Sequence, residues 1–200
     1  MKIVVINNYK EGEKAGQALE NLKRSSGYHL EMIDYKVPNL ITEVQKRDPD
    51  ILMLTGSNFM LSKPDTRLVF RQEMDLVRQV NLPVFGICFG HQLIGAAYGS
   101  RVTDLGQTVK AFKEIKIIVD DPIFEGLPES IIVPESHRQA IDSIPDGFRH
   151  LAESSTSRVE AIAHASRPVY GVQFHPERSD ERHPHGRAII QNFVKSVAKS

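Results

Sequence analysis

The stretch Pro83-Val84-Phe85-Gly86-Ile87-Cys88-Phe89-Gly90-His91-Gln92 decides how the remainder of this chain is read. Pro83 to Cys88 has the apolar run of a buried strand, and Phe89 to Tyr98 continues as a helix with Gly99 as its C-cap. The cysteine between them has a glycine two residues away on each side, which is the thiol form of the G-x-S-x-G nucleophile elbow. At such a junction the side chain is presented at the carboxyl edge of a sheet, and the helix N-terminus favours thiolate over thiol. A cysteine that merely fills a core would need neither glycine.

Outward from this unit, short apolar runs alternate with stretches of helical period, the pattern of strand–helix units around a parallel sheet. Strands are predicted at Ile3 to Ile6, at His29 to Tyr35 with Leu30, Met32 and Asp34 sharing a side, and at Ile51 to Leu54. Ala15, Ala18, Leu19 and Leu22 form one helix face, and Leu40 to Lys46 forms a short helix. A further helix, N-capped by Asp65, carries Val69, Phe70, Met74, Val77 and Val80. Beyond Arg101 the texture becomes strand-like at Arg101 to Leu105, Ala111 to Val119, Ser130 to Val133, Glu160 to Ala165 and Val169 to Phe174, before a last helix over Gly186 to Ala198. The expectation is an α/β fold, a mostly parallel central sheet with helices on both faces, organised as a single domain over residues 1–200.

Composition narrows the function. Twenty-five Lys and Arg balance 25 Asp and Glu in 200 residues, whereas gripping nucleic acid or anionic lipid calls for a positive excess. The apolar run at Ile3 to Ile6 is too short for a signal-peptide core, and there is no stretch of about 18 apolar residues to span a membrane. One cysteine forms no intramolecular disulfide, in keeping with a reducing, cytoplasmic setting.

A nucleophilic thiol needs a base, and among eight histidines His175 stands out. It follows the strand Val169 to Phe174 and precedes Pro176 and Glu177. Residues two apart in extended chain point the same way, so Glu177 can orient His175 and stabilise its imidazolium.

Gly86-Ile87-Cys88-Phe89-Gly90-His91-Gln92 and Gly171-Val172-Gln173-Phe174-His175-Pro176-Glu177, with weaker support from Gly186 and Asn192-Phe193, resemble the class I, or triad, glutamine amidotransferase family. The resemblance covers essentially the whole chain and is closest to the GMP synthase branch, which acts in purine biosynthesis. It implies the three-layer, flavodoxin-like fold of that family and hydrolysis of L-glutamine to glutamate and ammonia, with no cofactor. Cys88 would attack the side-chain amide, His175 would act as base and then acid, and Glu177 would orient it. Phe89 and Gly56 would supply oxyanion-hole N–H groups, and Gln92 would help hold glutamine. With no P-loop in the chain, the ammonia acceptor would be a separate synthetase subunit. Three departures concern the partner and acceptor: Gly56-Ser57-Asn58 stands where that branch usually has Gly-Gly-Pro, Glu177 is followed by the unusually charged Arg178-Ser179-Asp180-Glu181-Arg182, and Ser136-His137-Arg138 lacks the acidic residue that commonly follows.

Other readings stay open at this level. A gamma-glutamyl hydrolase of the same fold would use the same Cys88 and His175. PfpI-like proteins also carry a cysteine elbow, but with histidine commonly following directly where Phe89 stands here. A regulatory, non-catalytic partner of a synthetase would tolerate loss of the triad. His175, Glu177, His183 and His185 have some metal-ligand spacing, but zinc needs three or four converging ligands, and histidines near a helix start are more often solvated; no metal is expected. His91 is expected to serve helix packing or the substrate pocket.

Overall fold

The computed structural model of the protein describes residues 1–198. Five strands run parallel in the order β2 (Leu30–Asp34), β1 (Ile3–Asn7), β3 (Ile51–Leu54), β4 (Val84–Ile87) and β9 (Val169–Val172). Beyond β9 the sheet continues antiparallel through β8 (Ala161–His164), β7 (Phe148–Glu153), β5 (Val102–Ile117) and β6 (Ser130–Ile141). The parallel half is the sheet anticipated from the alternating pattern; the antiparallel arm extends it.

Alternate side chains of β1 explain the layering. Ile3 and Val5 join a core with Leu22 of α1 (Gly12–Ser26) and Ile189, Ile190, Phe193 and Val194 of α6 (His185–Ala198). Val4 and Ile6 face the opposite core, with Leu40 and Val44 of α2 (Leu40–Arg47), Leu76 and Val77 of α4 (Arg71–Gln79), and Phe89, Leu93 and Ile94 of α5 (Phe89–Ala97). Both faces are therefore covered, and β1 is apolar at four consecutive positions because none meets water.

Several local expectations change. Lys63, not Asp65, is the N-cap residue of α3 (Pro64–Val69): Pro64 takes the first helical turn, where its missing N–H costs nothing, and Asp65 lies beside it. The anticipated helix after it is two, broken at Phe70 between α3 and α4. Tyr98 is the C-cap of α5, and Gly99 sits one residue beyond at φ +95°. Met32 is exposed although Leu30 is buried, because β2 is an edge strand where only Leu30 and Ile33 reach a core. The segments Arg101 to Leu105 and Ala111 to Val119 merge into β5, whose pairing with β6 shifts register between Asp104 and Val109. β7 has no clear apolar alternation in Phe148-Arg149-His150-Leu151-Ala152-Glu153 and is found only through its pairing with β5 and β8.

The join of β4 to α5 needs two glycines. A Cβ on Gly86 would lie 2.6 Å from the Gly90 carbonyl carbon, and one on Gly90 would lie 2.6 Å from the Leu54 carbonyl oxygen. Gly16 in α1, by contrast, has open space around it. Gly90→Ala should therefore lower stability by about 1–3 kcal/mol through overpacking, while Gly16→Ala should raise it by about 0.5–1 kcal/mol. Urea unfolding midpoints of the two variants should move in opposite directions.

Candidate active site

The carboxyl ends of β1, β3, β4 and β9 converge, and each contributes the residues just past its last ladder position, the place where open α/β sheets bind ligands. Past β4 stands Cys88, a non-glycine residue at φ +51° and ψ −97°. Such backbone costs about 1–3 kcal/mol and persists only where the surroundings hold it. Here the Cys88 N–H donates to the Val172 carbonyl at 2.8 Å, and the Gln92 N–H donates to the Cys88 carbonyl at 3.0 Å. The Phe89 ring, 4.7 Å from that of Phe70, anchors the first residue of α5. The Cys88 sulfur lies 3.8 Å from the Ser136 carbonyl of β6 and receives the Gln173 amide at 3.6 Å.

Past β9 stands His175, whose N–H donates to the Pro134 carbonyl of β6 at 2.8 Å. Its Nδ1 lies 2.8 Å from Glu177 Oε1, and both side chains are buried. Burial alone would push the imidazole pKa down, but the Glu177 carboxylate and the Cys88 sulfur outweigh it and raise it to about 9. Burial likewise works to raise Glu177, yet the charge and hydrogen bond of His175, with Arg178, hold it below the ordinary carboxylate range. Arg178 Nε is 3.3 Å from Glu177 Oε1, and its guanidinium donates to the Tyr9 hydroxyl at 3.0 Å. The result is an acid–base chain against a thiol, with His175 and Glu177 buried and its outer end, Arg178, exposed.

Past β3 stands Gly56. A Cβ there would be 2.8 Å from both His175 Cε1 and the Tyr9 hydroxyl oxygen, so a residue with a side chain would displace the imidazole. Buried polar groups tie this loop down. The Asn8 N–H donates to Thr55 Oγ1 at 2.9 Å, the Thr55 hydroxyl to the Gly56 carbonyl at 3.0 Å, and Ser57 Oγ to the Asn8 carbonyl at 2.6 Å. Asn8 in turn donates to Glu73 at 3.0 Å; burial raises that carboxyl to about 8, so it is protonated at neutral pH.

Over Cys88 lies a cavity of about 230 Å³ lined by Ser57, Phe59, Gln92, Ser136 and Gln139 among others. The Gln92 amide nitrogen donates to the Gln139 carbonyl at 2.7 Å and to Gln173 Oε1 at 3.1 Å, which fixes the side chain beneath the cavity.

The family model for glutamine amidotransferase class-I matches residues 4–197. The chain belongs to the class-I glutamine amidotransferase family. The amidotransferase is 36% identical over 197 residues to a glutamine-hydrolyzing GMP synthase subunit of Methanosarcina mazei, covering 98% of this chain and 96% of that one. It is 35% identical over 193 residues to the same subunit of Methanothermobacter thermautotrophicus, covering 96% and 95%. The crystal structure of a GMP synthase subunit protein from Thermoplasma acidophilum superposes with a TM-score of 0.84 at 28% identity, covering 100% of this chain and 94% of the other. A glutamine amidotransferase of Thermotoga maritima shares the fold, with a TM-score of 0.78 at 14% identity over 100% and 99% of the two chains.

In this amidotransferase Cys88, His175, Glu177, Gly56, Phe89 and Gln92 all lie at one sheet edge. The four residues with metal-like spacing do not come together: His183 Nδ1 pairs with Asp180 at 3.1 Å and its ring stacks on Phe112, while His185 accepts from the Ile132 N–H at 3.1 Å. His91 packs, fully buried, against Gly171; burial lowers its pKa to about 3 and keeps it neutral. Sequence reasoning missed Tyr9, Arg178, Gln173 and Gln139, which brace the site. Gln173 lies within the second motif and Arg178 directly follows it, but only the sheet brings Tyr9 from the end of β1 and Gln139 from β6.

His175 holds its proton more tightly folded than the ordinary histidine value of 6.5 allows. That stabilisation is fully present below about 6.5 and lost as pH rises through about 9. Urea midpoints should fall across this window in the wild type, and the fall should be shallower in His175→Ala.

Proposed function

We propose that this amidotransferase is the glutamine-hydrolysing subunit of a two-chain GMP synthase, working through a Cys88–His175–Glu177 triad. The observation that carries the proposal is the buried His175–Glu177 pair, 2.8 Å across, standing against a thiol held at positive φ. Its similarity along nearly its full length to glutamine-hydrolyzing GMP synthase subunits supports the choice of partner.

The Cys88 thiolate attacks the side-chain carbonyl carbon of L-glutamine. Charge moves to the oxygen, where the N–H of Phe89, free of helix partners in the first turn, and that of Gly56 stabilise it. The His175 imidazolium protonates the departing nitrogen, ammonia leaves, and a glutamyl thioester remains on Cys88. His175, now neutral, takes a proton from water; the hydroxide attacks the thioester, the thiolate departs, and glutamate is released. Glu177 keeps the imidazolium oriented and charge-balanced throughout. The Gln92 amide nitrogen is committed to Gln139 and Gln173, so its oxygen is the atom that meets substrate. Ammonia then passes to the synthetase subunit.

Glutamate release from glutamine, measured with and without a GMP synthase synthetase subunit, tests this. Cys88→Ala should lose activity by more than about 1,000-fold. Glu177→Gln should lower kcat about 100-fold with a smaller effect on KM. An electrophilic glutamine analogue should label Cys88 and no other residue. Equal turnover by wild type and Cys88→Ala would overturn the mechanism, and release from gamma-glutamyl peptides but not from glutamine would identify a hydrolase instead.

A further inference from the structure

Beside the thiol lies a second cluster to which the proposed hydrolysis assigns no role, and one of its members, His137, also lines the cavity over Cys88. Glu135 and His137, two apart on β6, flank Ser136, whose carbonyl meets the Cys88 sulfur. Glu160, immediately before β8, approaches from across the sheet edge. Exposure is 2% for Glu135, 4% for His137 and 0% for Glu160. One ligand-type atom from each lies within 4.8 Å of the other two, and among the described residues no other three His, Cys, Asp or Glu side chains converge in this way.

The hydrogen bonds leave room in the cluster for a proton or a cation. His137 Nδ1 is 3.1 Å from the Gln139 carbonyl, an acceptor only, so Nδ1 carries a hydrogen. In the neutral ring, Nε2 then presents its lone pair to Glu135 Oε2 at 3.2 Å. Two lone pairs at that distance repel unless a proton or a cation lies between them. Thr156 Oγ1 reaches the two Glu135 oxygens at 3.0 and 2.8 Å, but a hydroxyl has one hydrogen to give. Ser154 Oγ donates to Glu160 Oε1 at 2.7 Å, and Glu160 Oε2 is buried with no hydrogen-bond partner.

We propose that Glu135, His137 and Glu160 form a binding site for a divalent transition cation, with zinc the best match to one imidazole nitrogen and two carboxylates. Zinc sits about 2.0–2.2 Å from such atoms, so its ligands are at most about 4.4 Å apart; small side-chain rotations close the present spacing. Outer contacts of the kind that orient metal ligands are already in place: Gln139 on His137, Thr156 on Glu135 and Ser154 on Glu160. A cation here ties β6 to the segment before β8 and so stiffens the strand that carries Ser136 past the thiol.

Cys88 is itself a soft zinc ligand, so the test uses the full chain in both wild-type and Cys88→Ala forms. Zinc titration followed by equilibrium dialysis should give one zinc per chain in Cys88→Ala, with a melting temperature that rises with zinc concentration. Cobalt-loaded Cys88→Ala should show visible d–d bands without thiolate charge transfer. Glu160→Gln, an amide of the same shape, should weaken zinc affinity at least tenfold while leaving the zinc-free circular dichroism unchanged. Wild-type affinity in Glu160→Gln, or loss of zinc from Cys88→Ala, would overturn the site. If Glu160→Gln does not fold, the cobalt spectrum of Cys88→Ala decides, and absence of d–d bands is the overturning result. Cys88→Ala is inactive under the triad mechanism, so zinc binding and glutamine hydrolysis stand or fall separately.

Discussion

Everything at the sheet edge depends on one backbone conformation, Cys88 at φ +51° between β4 and α5. A residue with a Cβ avoids that region, so strand and helix must clamp it from both sides. They do so by close approach: Gly86 lies against the backbone of Gly90, and Gly90 against Leu54. The ladder bond to Val172 and the first helix bond to Gln92 complete the clamp. The same turn sets the sulfur above the strand ends and leaves the N–H groups that open α5 unpaired. The proposed nucleophile and the Phe89 oxyanion donor thus follow from a single strained residue, whereas the proposed Gly56 donor comes from the loop after β3.

The electrostatics follow from burial rather than from net charge, which is zero. Two opposite charges out of water are costly unless paired, and His175 and Glu177 are paired at 2.8 Å. Pairing reverses what burial alone would do to each, holding the imidazole protonated and the carboxyl ionised. Arg178 and Tyr9 close the outer side of the pair. In the proposed mechanism, a base tuned in this way is pre-charged as the acid that a departing amide nitrogen requires.

The antiparallel arm is more than an extension of the sheet. β6 supplies the carbonyls of Pro134, Ser136 and Gln139 to His175, Cys88 and Gln92 in turn. It walls the cavity over the thiol and carries two of the three side chains assigned to the cation. The parallel half presents the groups proposed to react; the arm contacts each of them and brings the second cluster up beside them.

Much of this is legible in the chain itself, because the decisive signals are local. A strand apolar on both faces, a Gly-x-Cys-x-Gly turn and a His-Pro-Glu strand end each follow from periodicity or turn chemistry within ten residues. Sequence reading fails where stability comes from partners distant in the chain. β7 alternates poorly and exists through its neighbours, and the helix breaks at Phe70, whose ring packs between Tyr35 and Phe89. By itself the sequence determined the α/β class, the elbow and the pairing of His175 with Glu177, since backbone preference and two-residue spacing act at short range. Only the tertiary structure decided that Tyr9, Gln139 and Arg178 brace the site and that Glu135, His137 and Glu160 meet beside it, because those contacts form only when distant strands align in one sheet.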